Sequence, residues 1–236
     1  MSAVVQGGLG TAGWTLSAAC AVAAISDWIA VAAGARRPED PLPRQVEYVL
    51  KPLALVLLIA AVSVSHPVIT ATHTVSSARQ WLFVAALGFS LAGDVLLMVP
   101  VDLFEGGLAA FLLAHAFYIA GLTRGGGSIS TIALASGAIA VVATPIATTI
   151  MRRVLREHGH GLFAATSVYM TALVIMAGAA CASGSAIAAA GGLVFLASDA
   201  TLAWDRFVGH RKYARVAIMV TYHLAQGLLA GSLFVR

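Results

Sequence analysis

Two aspartates, Asp94 and Asp199, carry the chemistry that this sequence suggests, because each lies near the end of a long apolar run. The first sits in Leu-Ala-Gly-Asp-Val-Leu-Leu and the second in Leu-Ala-Ser-Asp-Ala-Thr-Leu. An ionisable side chain inside a membrane span costs about 2.5–3.5 kcal/mol. Two of them in matched positions therefore indicate a function, and a carboxyl pair suits proton transfer and the stabilisation of a cation.

The composition places both aspartates in a membrane protein. Of the 236 residues, 60% are hydrophobic and 10% are charged, and the mean hydropathy is +0.91, well above that of soluble domains. Apolar stretches of spanning length cover residues 12–34, 49–65, 81–99, 104–122, 129–150, 162–181, 186–204 and 213–235. We expect an all-α polytopic protein with eight transmembrane helices in a single transmembrane domain, residues 1–236.

Basic residues are concentrated on alternate loops of this topology. The first, fifth and seventh loops hold Arg36, Arg37, Arg44, Arg152, Arg153, Arg156, Arg206, Arg211, Lys212 and Arg215. The other side holds only Arg79, Arg124 and Arg236. Because Lys and Arg are enriched in cytoplasmic loops, we predict that the odd loops are cytoplasmic and that both termini lie outside. The net charge of +4 then reflects loops beside anionic lipid, and no nucleic-acid partner is expected.

This topology brings the two aspartates to one depth. Helices three and seven run in the same direction, and each aspartate lies roughly five residues, or about 7 Å, from the cytoplasmic end of its span. The spacing also suggests a repeat of four helices followed by four, related by a pseudo-two-fold axis. We therefore expect a shared site toward the cytoplasmic leaflet, in the cytoplasmic membrane of a bacterium.

Further polar side chains fall at the same level and are candidates for binding a substrate in a common chamber. They are Lys51, His115, Tyr118, Tyr169, Ser198, Tyr222 and Gln226. Arg206, at the cytoplasmic end of helix seven, is placed to meet a lipid phosphate. Each has a simpler alternative: a lysine reaches for the interface, Arg206 anchors its helix, and buried tyrosines and histidines pack or hydrogen-bond between helices.

A structural interpretation fits the two aspartates less well. A buried structural aspartate usually has a cation at helical spacing, yet neither helix three nor the body of helix seven supplies one, since Arg206 lies two turns beyond Asp199. For Asp27, on helix one in the same half of the membrane, pairing with Lys51 is the simplest interpretation.

Several segments resemble the YhhN/TMEM86 family of membrane proteins. They are residues 89–97, 111–118, 195–202 and 221–226, together with Lys51-Pro52. The resemblance runs from helix two to helix eight, and its order and spacing are more specific than any single motif. One departure is Ala-Trp-Asp before Arg206-Phe207, where the family more often has a small or amide residue before the Arg-Phe.

The resemblance implies an activity. The family includes lysoplasmalogenases, which cleave the vinyl ether bond of lysoplasmalogens, a class of lysophospholipid, to a fatty aldehyde and glycerophosphoethanolamine or glycerophosphocholine. It implies Asp94 and Asp199 as the catalytic pair, with pocket residues Lys51, His115, Tyr118, Tyr222 and Gln226. A bacterium without plasmalogens would need another substrate.

The chemistry matches two carboxyl groups. Enol ether hydrolysis needs a proton donor and a nearby carboxylate, and two carboxyl groups that share a site do not both ionise easily, so one remains an acid. Either aspartate suits the role of acid. No cofactor or metal is expected, because Cys20, Cys181, His115 and His223 form no convincing ligand cluster with the aspartates.

Two rival functions use the same residues. A proton-coupled transporter would also place carboxyl groups in its helices within an internal repeat, but such proteins often break helices at the site with paired Gly or Pro. Here Gly93 precedes Asp94 without a counterpart, since Ser198 precedes Asp199. An intramembrane aspartyl protease is suggested by Gly93-Asp94, but Leu91 stands where such enzymes have a second glycine.

Overall fold

The computed structural model describes residues 6–37, 39–69 and 77–234, and it is built almost entirely from helices. They are α1 (Thr11–Arg36), α2 (Leu42–Val64), α3 (Ser77–Met98), α4 (Phe104–Thr123), α5 (Ile129–Ala182), α6 (Ala186–Phe207) and α7 (Ala214–Gly231). Two short strands, β1 (Gln6–Gly8) and β2 (His66–Ile69), pair antiparallel. Arg236 and the last residue of the predicted span 213–235 lie outside the described ranges.

The helices confirm the class that the composition predicts. Among the residues described, six helices, α1 to α6, are long and apolar enough to cross a membrane. The shorter α7 is not one of them, although it packs inside the bundle. The all-α polytopic membrane fold is therefore confirmed, whereas the number of crossings, the repeat and the side of the termini remain predictions.

The longest helix, α5, reverses direction in its middle. At Gly159 the backbone has φ 79° and ψ −172°, a left-handed φ that favours glycine. A straight helix of 54 residues would be about 80 Å long, yet its ends lie side by side. A Cβ on Gly178 would overlap Ser136 Oγ, and one on Gly127 would lie 2.6 Å from the Ala182 carbonyl oxygen.

We call residues 129–158 the first arm of α5 and residues 160–182 its second arm. These antiparallel arms correspond to the predicted spans 129–150 and 162–181. Apolar side chains such as Leu134 and Val142 are more than three-quarters exposed on the first arm. Exposure of this kind is suited to contact with lipid rather than with water.

The remaining helices form a bundle in which chain neighbours pack together. Contacts join α1 to α2, α3 to α4, and α6 to α7, while α5 lies between α4 and α6 and α7 returns to α1 and α2. A close approach between α3 and α4 lies directly beside Asp94. A Cβ on Gly93 of α3 would lie 2.6 Å from the Phe111 ring of α4, so the glycine beside Asp94 allows these two helices to meet.

Candidate functional site

Asp94 is buried, and both of its carboxylate oxygens have partners from other helices. The residue, on α3, is 1% exposed. Oδ1 lies 2.8 Å from Nζ of Lys51 on α2, and Oδ2 accepts a hydrogen bond of 2.7 Å from the Tyr222 hydroxyl on α7. The same ammonium lies 5.6 Å from the centre of the Tyr222 ring. Asp94 is thus held by two side chains, as an ion pair with Lys51 and as a hydrogen-bond acceptor from Tyr222.

The contacts of Lys51 overturn two simpler interpretations. The side chain is 7% exposed and pairs with Asp94, so it does not extend to the membrane interface. It also forms no described salt bridge with Asp27, so that predicted pairing is wrong as well. Asp27 is fully buried, and within the described ranges neither of its carboxyl oxygens has a hydrogen-bond partner. Lys51 does not pair with Asp27 because its ammonium is already in contact with the Asp94 carboxylate of α3.

Asp199 has different surroundings. It lies half-buried on α6, and its Oδ2 accepts a hydrogen bond from the Tyr169 hydroxyl on the second arm of α5. None of the ion pairs in the described part of the chain involves Asp199. Tyr169 is held in turn by His115, whose ring meets it edge to face at 5.1 Å between centres.

Both aspartates line one cavity of about 160 Å³, which we call the aspartate cavity. Four of the other predicted site residues line it: Lys51, Tyr169, Ser198 and Tyr222. Ser198 donates a hydrogen bond of 3.2 Å to the Ile218 carbonyl. The structure therefore brings together six of the ten predicted residues around one small cavity.

Three predicted residues are buried behind this cavity without lining it. His115 donates through Nδ1 to the Phe111 carbonyl oxygen at 2.6 Å. Tyr118 donates to Gln226 Oε1 at 2.5 Å, joining α4 to α7 one turn beyond Tyr222. Of these three residues, His115 also contacts a residue that lines the cavity, because its ring meets that of Tyr169.

Arg206 lies apart from the aspartate cavity. Its Nη2 is 2.6 Å from Oδ2 of Asp102, which belongs to the loop between α3 and α4, and its guanidinium stacks 5.0 Å from the centre of the Phe104 ring. The hydrogen bond and charge of Arg206 hold the pKa of the Asp102 carboxyl below its usual value. The described contacts of Arg206 tie the end of α6 to this loop.

Three charged residues at the cavity were missed as site residues in the sequence. They are Arg44, Glu47 and Arg215. Arg215 donates to Glu47 at 2.5 Å, and Glu47 is only 6% exposed. The sequence spacing could have identified Glu47, because Glu47 and Lys51 are four residues apart and so share one face of α2.

A second space adjoins the first. An apolar groove of about 900 Å³, lined mainly by the two arms of α5 and by α6, shares a wall with the aspartate cavity. The shared residues are Leu97, Phe111, Tyr169, Asp199 and Leu202. We call this space the apolar groove. In the described ranges, no group of three or more His, Cys, Asp or Glu residues is arranged to hold a metal ion.

Comparison with known proteins gives a family and two named relatives. The sequence profile of the YhhN family matches residues 46–233. A mouse protein named lysoplasmalogenase TMEM86B is 33% identical over 149 residues, which cover 63% of this chain and 62% of the relative. The pig protein of the same name is 33% identical over 147 residues, which cover 61% of this chain and 60% of the relative. The match thus spans about three-fifths of each relative's length. No solved structure matches the chain.

Proposed function

Because the chain belongs to the YhhN family, we propose that it is a membrane hydrolase that cleaves the vinyl ether bond of a lysophospholipid, with Asp94 and Asp199 as catalytic residues. The named relatives support hydrolysis of this kind. The observation that carries the proposal is that two carboxyl groups from different helices line one cavity and have unlike partners.

The reaction divides between an acid and a carboxylate. A proton is delivered to the vinylic carbon distal to oxygen, which leaves an oxocarbenium ion at the carbon bonded to that oxygen. Water adds to this carbon and loses a proton, giving a hemiacetal. The hemiacetal then collapses to a fatty aldehyde and the free hydroxyl of the glycerophospholipid, so one water is consumed and the acid is regenerated.

We assign the proton donor to Asp199. Its Oδ2 accepts from Tyr169, which leaves Oδ1 to carry a proton, and it has no described cation partner. A carboxyl group without a cation in apolar surroundings is more easily accommodated as a neutral acid. It is also the less buried of the two aspartates, so its proton is accessible to a substrate in the cavity.

We assign the carboxylate to Asp94. The Lys51 ammonium at 2.8 Å favours the ionised form, and the Tyr222 hydroxyl fixes its orientation. A fixed negative charge in a water-poor site is an effective stabiliser of the positive charge that develops in the transition state. In the second step the same carboxylate orients water, and the proton that the water loses is taken up by the ionised Asp199, which restores the acid.

The membrane arrangement belongs to the same proposal. The two arms of α5 support eight crossings in a single domain, residues 1–236, with the odd loops cytoplasmic and the termini outside. Arg44 and Arg215 at the aspartate cavity then face the cytoplasmic leaflet of a bacterial membrane. That leaflet would supply the lysophospholipid.

The proposal is tested with purified protein in detergent. Lysoplasmalogen is compared with its saturated alkyl ether analogue, and the aldehyde is measured. Aldehyde from the vinyl ether alone is expected, because only that substrate forms an oxocarbenium ion on protonation. Absence of aldehyde from both, with proton-dependent uptake of lipid or solute into vesicles, would replace the hydrolase with a transporter that uses the same aspartates.

A further inference from the structure

We propose that the apolar groove binds the single hydrocarbon chain of the substrate, so that the lipid lies with its phosphate near Arg44 and Arg215 and its vinyl ether beside Asp199. This inference rests on the proposed function for the identity of the lipid. It adds the direction in which the lipid lies and the reason that one chain, rather than two, fits.

The size of the aspartate cavity makes a separate chain site necessary. Its volume of about 160 Å³ is below the roughly 300–1,000 Å³ of pockets that enclose a whole drug-sized ligand. A glycerol backbone and an ether linkage fit that space, whereas a long alkenyl chain does not. The apolar groove, at about 900 Å³, has the volume of a site for a large ligand.

The two spaces meet where the reaction would occur. Asp199 and Tyr169 line both of them, together with Leu97, Phe111 and Leu202. A chain in the groove would therefore begin at the carboxyl group that we assign as the proton donor. The vinyl ether is formed by the ether oxygen and the first two chain carbons. A chain in the groove would therefore place this bond beside the carboxyl group that has to protonate it.

The lining of each space matches one part of a lysolipid. Among the described residues that line the groove, Asp199 is the only acidic or basic one, and small or aliphatic side chains such as Ala143, Ala147 and Val174 form its walls. Arg44 and Arg215 line the aspartate cavity instead. Guanidinium groups are the preferred partners of phosphate, so charge complementarity orients the lipid.

Diacyl phospholipid, the bulk lipid of a membrane, fits the aspartate cavity and the apolar groove less well than a lysolipid does. A second acyl chain on the same glycerol that did not enter the groove would have to share the aspartate cavity, of about 160 Å³, with the glycerol backbone. The lysolipid carries only a hydroxyl at that position. The geometry thus selects lipids with a single chain.

Photolabelling tests this site without requiring turnover. The probe is a saturated alkyl ether lysolipid with a diazirine in its chain, added to the purified protein, and mass spectrometry locates the labelled peptides. Labelling within residues 136–150 and 166–175 is expected, with competition by unlabelled lysolipid and little competition by diacyl phospholipid. Labelling spread over other outward faces, or equal competition by diacyl phospholipid, would show a general lipid contact and overturn the inference.

A substitution in the groove gives a second test. Ala147 is half-buried and lines the groove, whereas Ala133 is exposed on the same arm outside its lining. Ala147→Trp should lower the ratio of kcat/KM for a long-chain over a short-chain vinyl ether lysolipid by about tenfold or more, the effect of overfilling a packed site. Ala133→Trp should leave that ratio unchanged.

The two tests separate this inference from the hydrolase proposal. An unchanged ratio in folded Ala147→Trp would overturn the chain site even if aldehyde is produced. Specific labelling of the groove in wild-type protein that releases no aldehyde would support the chain site and reject the reaction. If Ala147→Trp fails to fold, the labelling pattern of the wild-type protein decides.

Discussion

The two ends of the aspartate cavity differ in how their carboxyl groups are held. At one end, Asp94 is surrounded by an ammonium and a hydroxyl from two other helices. At the other end, Asp199 accepts a single described hydrogen bond and borders an apolar groove. Under the proposed mechanism, one residue type in one small cavity serves two tasks, because a fixed charge requires satisfied partners and a proton donor requires a free oxygen.

The largest effect should come from removing the proposed proton donor, Asp199. Asp199→Asn keeps the size of the side chain but cannot deliver a proton, so we expect kcat to fall by about 10²–10⁴-fold. Aldehyde release and a thermal melt in detergent measure activity and folding together. A folded variant with most of its activity would make Asp199 a structural residue and abolish the contrast with Asp94.

Next in size is the Lys51–Asp94 ion pair. Lys51→Met leaves the Asp94 carboxylate buried without its cation, which costs about 3–5 kcal/mol when one partner of a buried pair is removed. We expect a lower melting temperature and a lower kcat, rather than a change confined to KM. The matched variant is Lys51→Met combined with Asp94→Asn, which should recover part of the stability but none of the activity. A change in KM alone would place Lys51 at the phosphate instead.

Substitution of two tyrosines, one beside each aspartate, compares the two ends of the cavity directly. Tyr169→Phe removes the described hydrogen bond to Asp199, whereas Tyr222→Phe leaves Asp94 its contact with Lys51. Loss of one hydrogen bond to a buried partner costs about 1–3 kcal/mol. We therefore expect the larger fall in kcat for Tyr169→Phe. Equal losses would mean that both aspartates depend on their tyrosines alike.

The smallest effect is expected outside the cavity, at Arg206. Arg206→Gln removes an exposed ion pair with Asp102, so activity should hardly change. Because the folded pKa of Asp102 lies below its ordinary 3.8, the pair contributes stability above that value and loses it as the pH falls through the depressed pKa. The small difference in melting temperature between the proteins should therefore disappear at acidic pH. A large loss of activity at neutral pH would restore Arg206 to the substrate site.

The features that depend on position within one helix could be predicted from the sequence. Apolar runs predicted the helices, the motif resemblance identified the family, and the depth of Asp94 and Asp199 predicted that they lie near each other, as the shared cavity shows. Their catalytic role remains a prediction.

Contacts between helices were harder to predict. The cation beside Asp94 comes from Lys51 on α2, and the partner of Glu47 comes from Arg215 on α7. Helical spacing reveals neighbours on one helix only, so the sequence predicted no cation for Asp94, and the predicted pairing of Lys51 with Asp27 is wrong. Which helix faces which is decided by packing, as where Gly93 admits the Phe111 ring.

The reversal at Gly159 determines the direction in which each later helix runs. Each crossing of the bilayer exchanges one face of the membrane for the other, so the count of crossings between Asp94 and Asp199 fixes whether they end on the same side. Were α5 a single uninterrupted crossing, α6 would run the opposite way and Asp199 would lie near the far surface. One residue with φ 79° therefore lets two distant stretches of sequence contribute to one cavity.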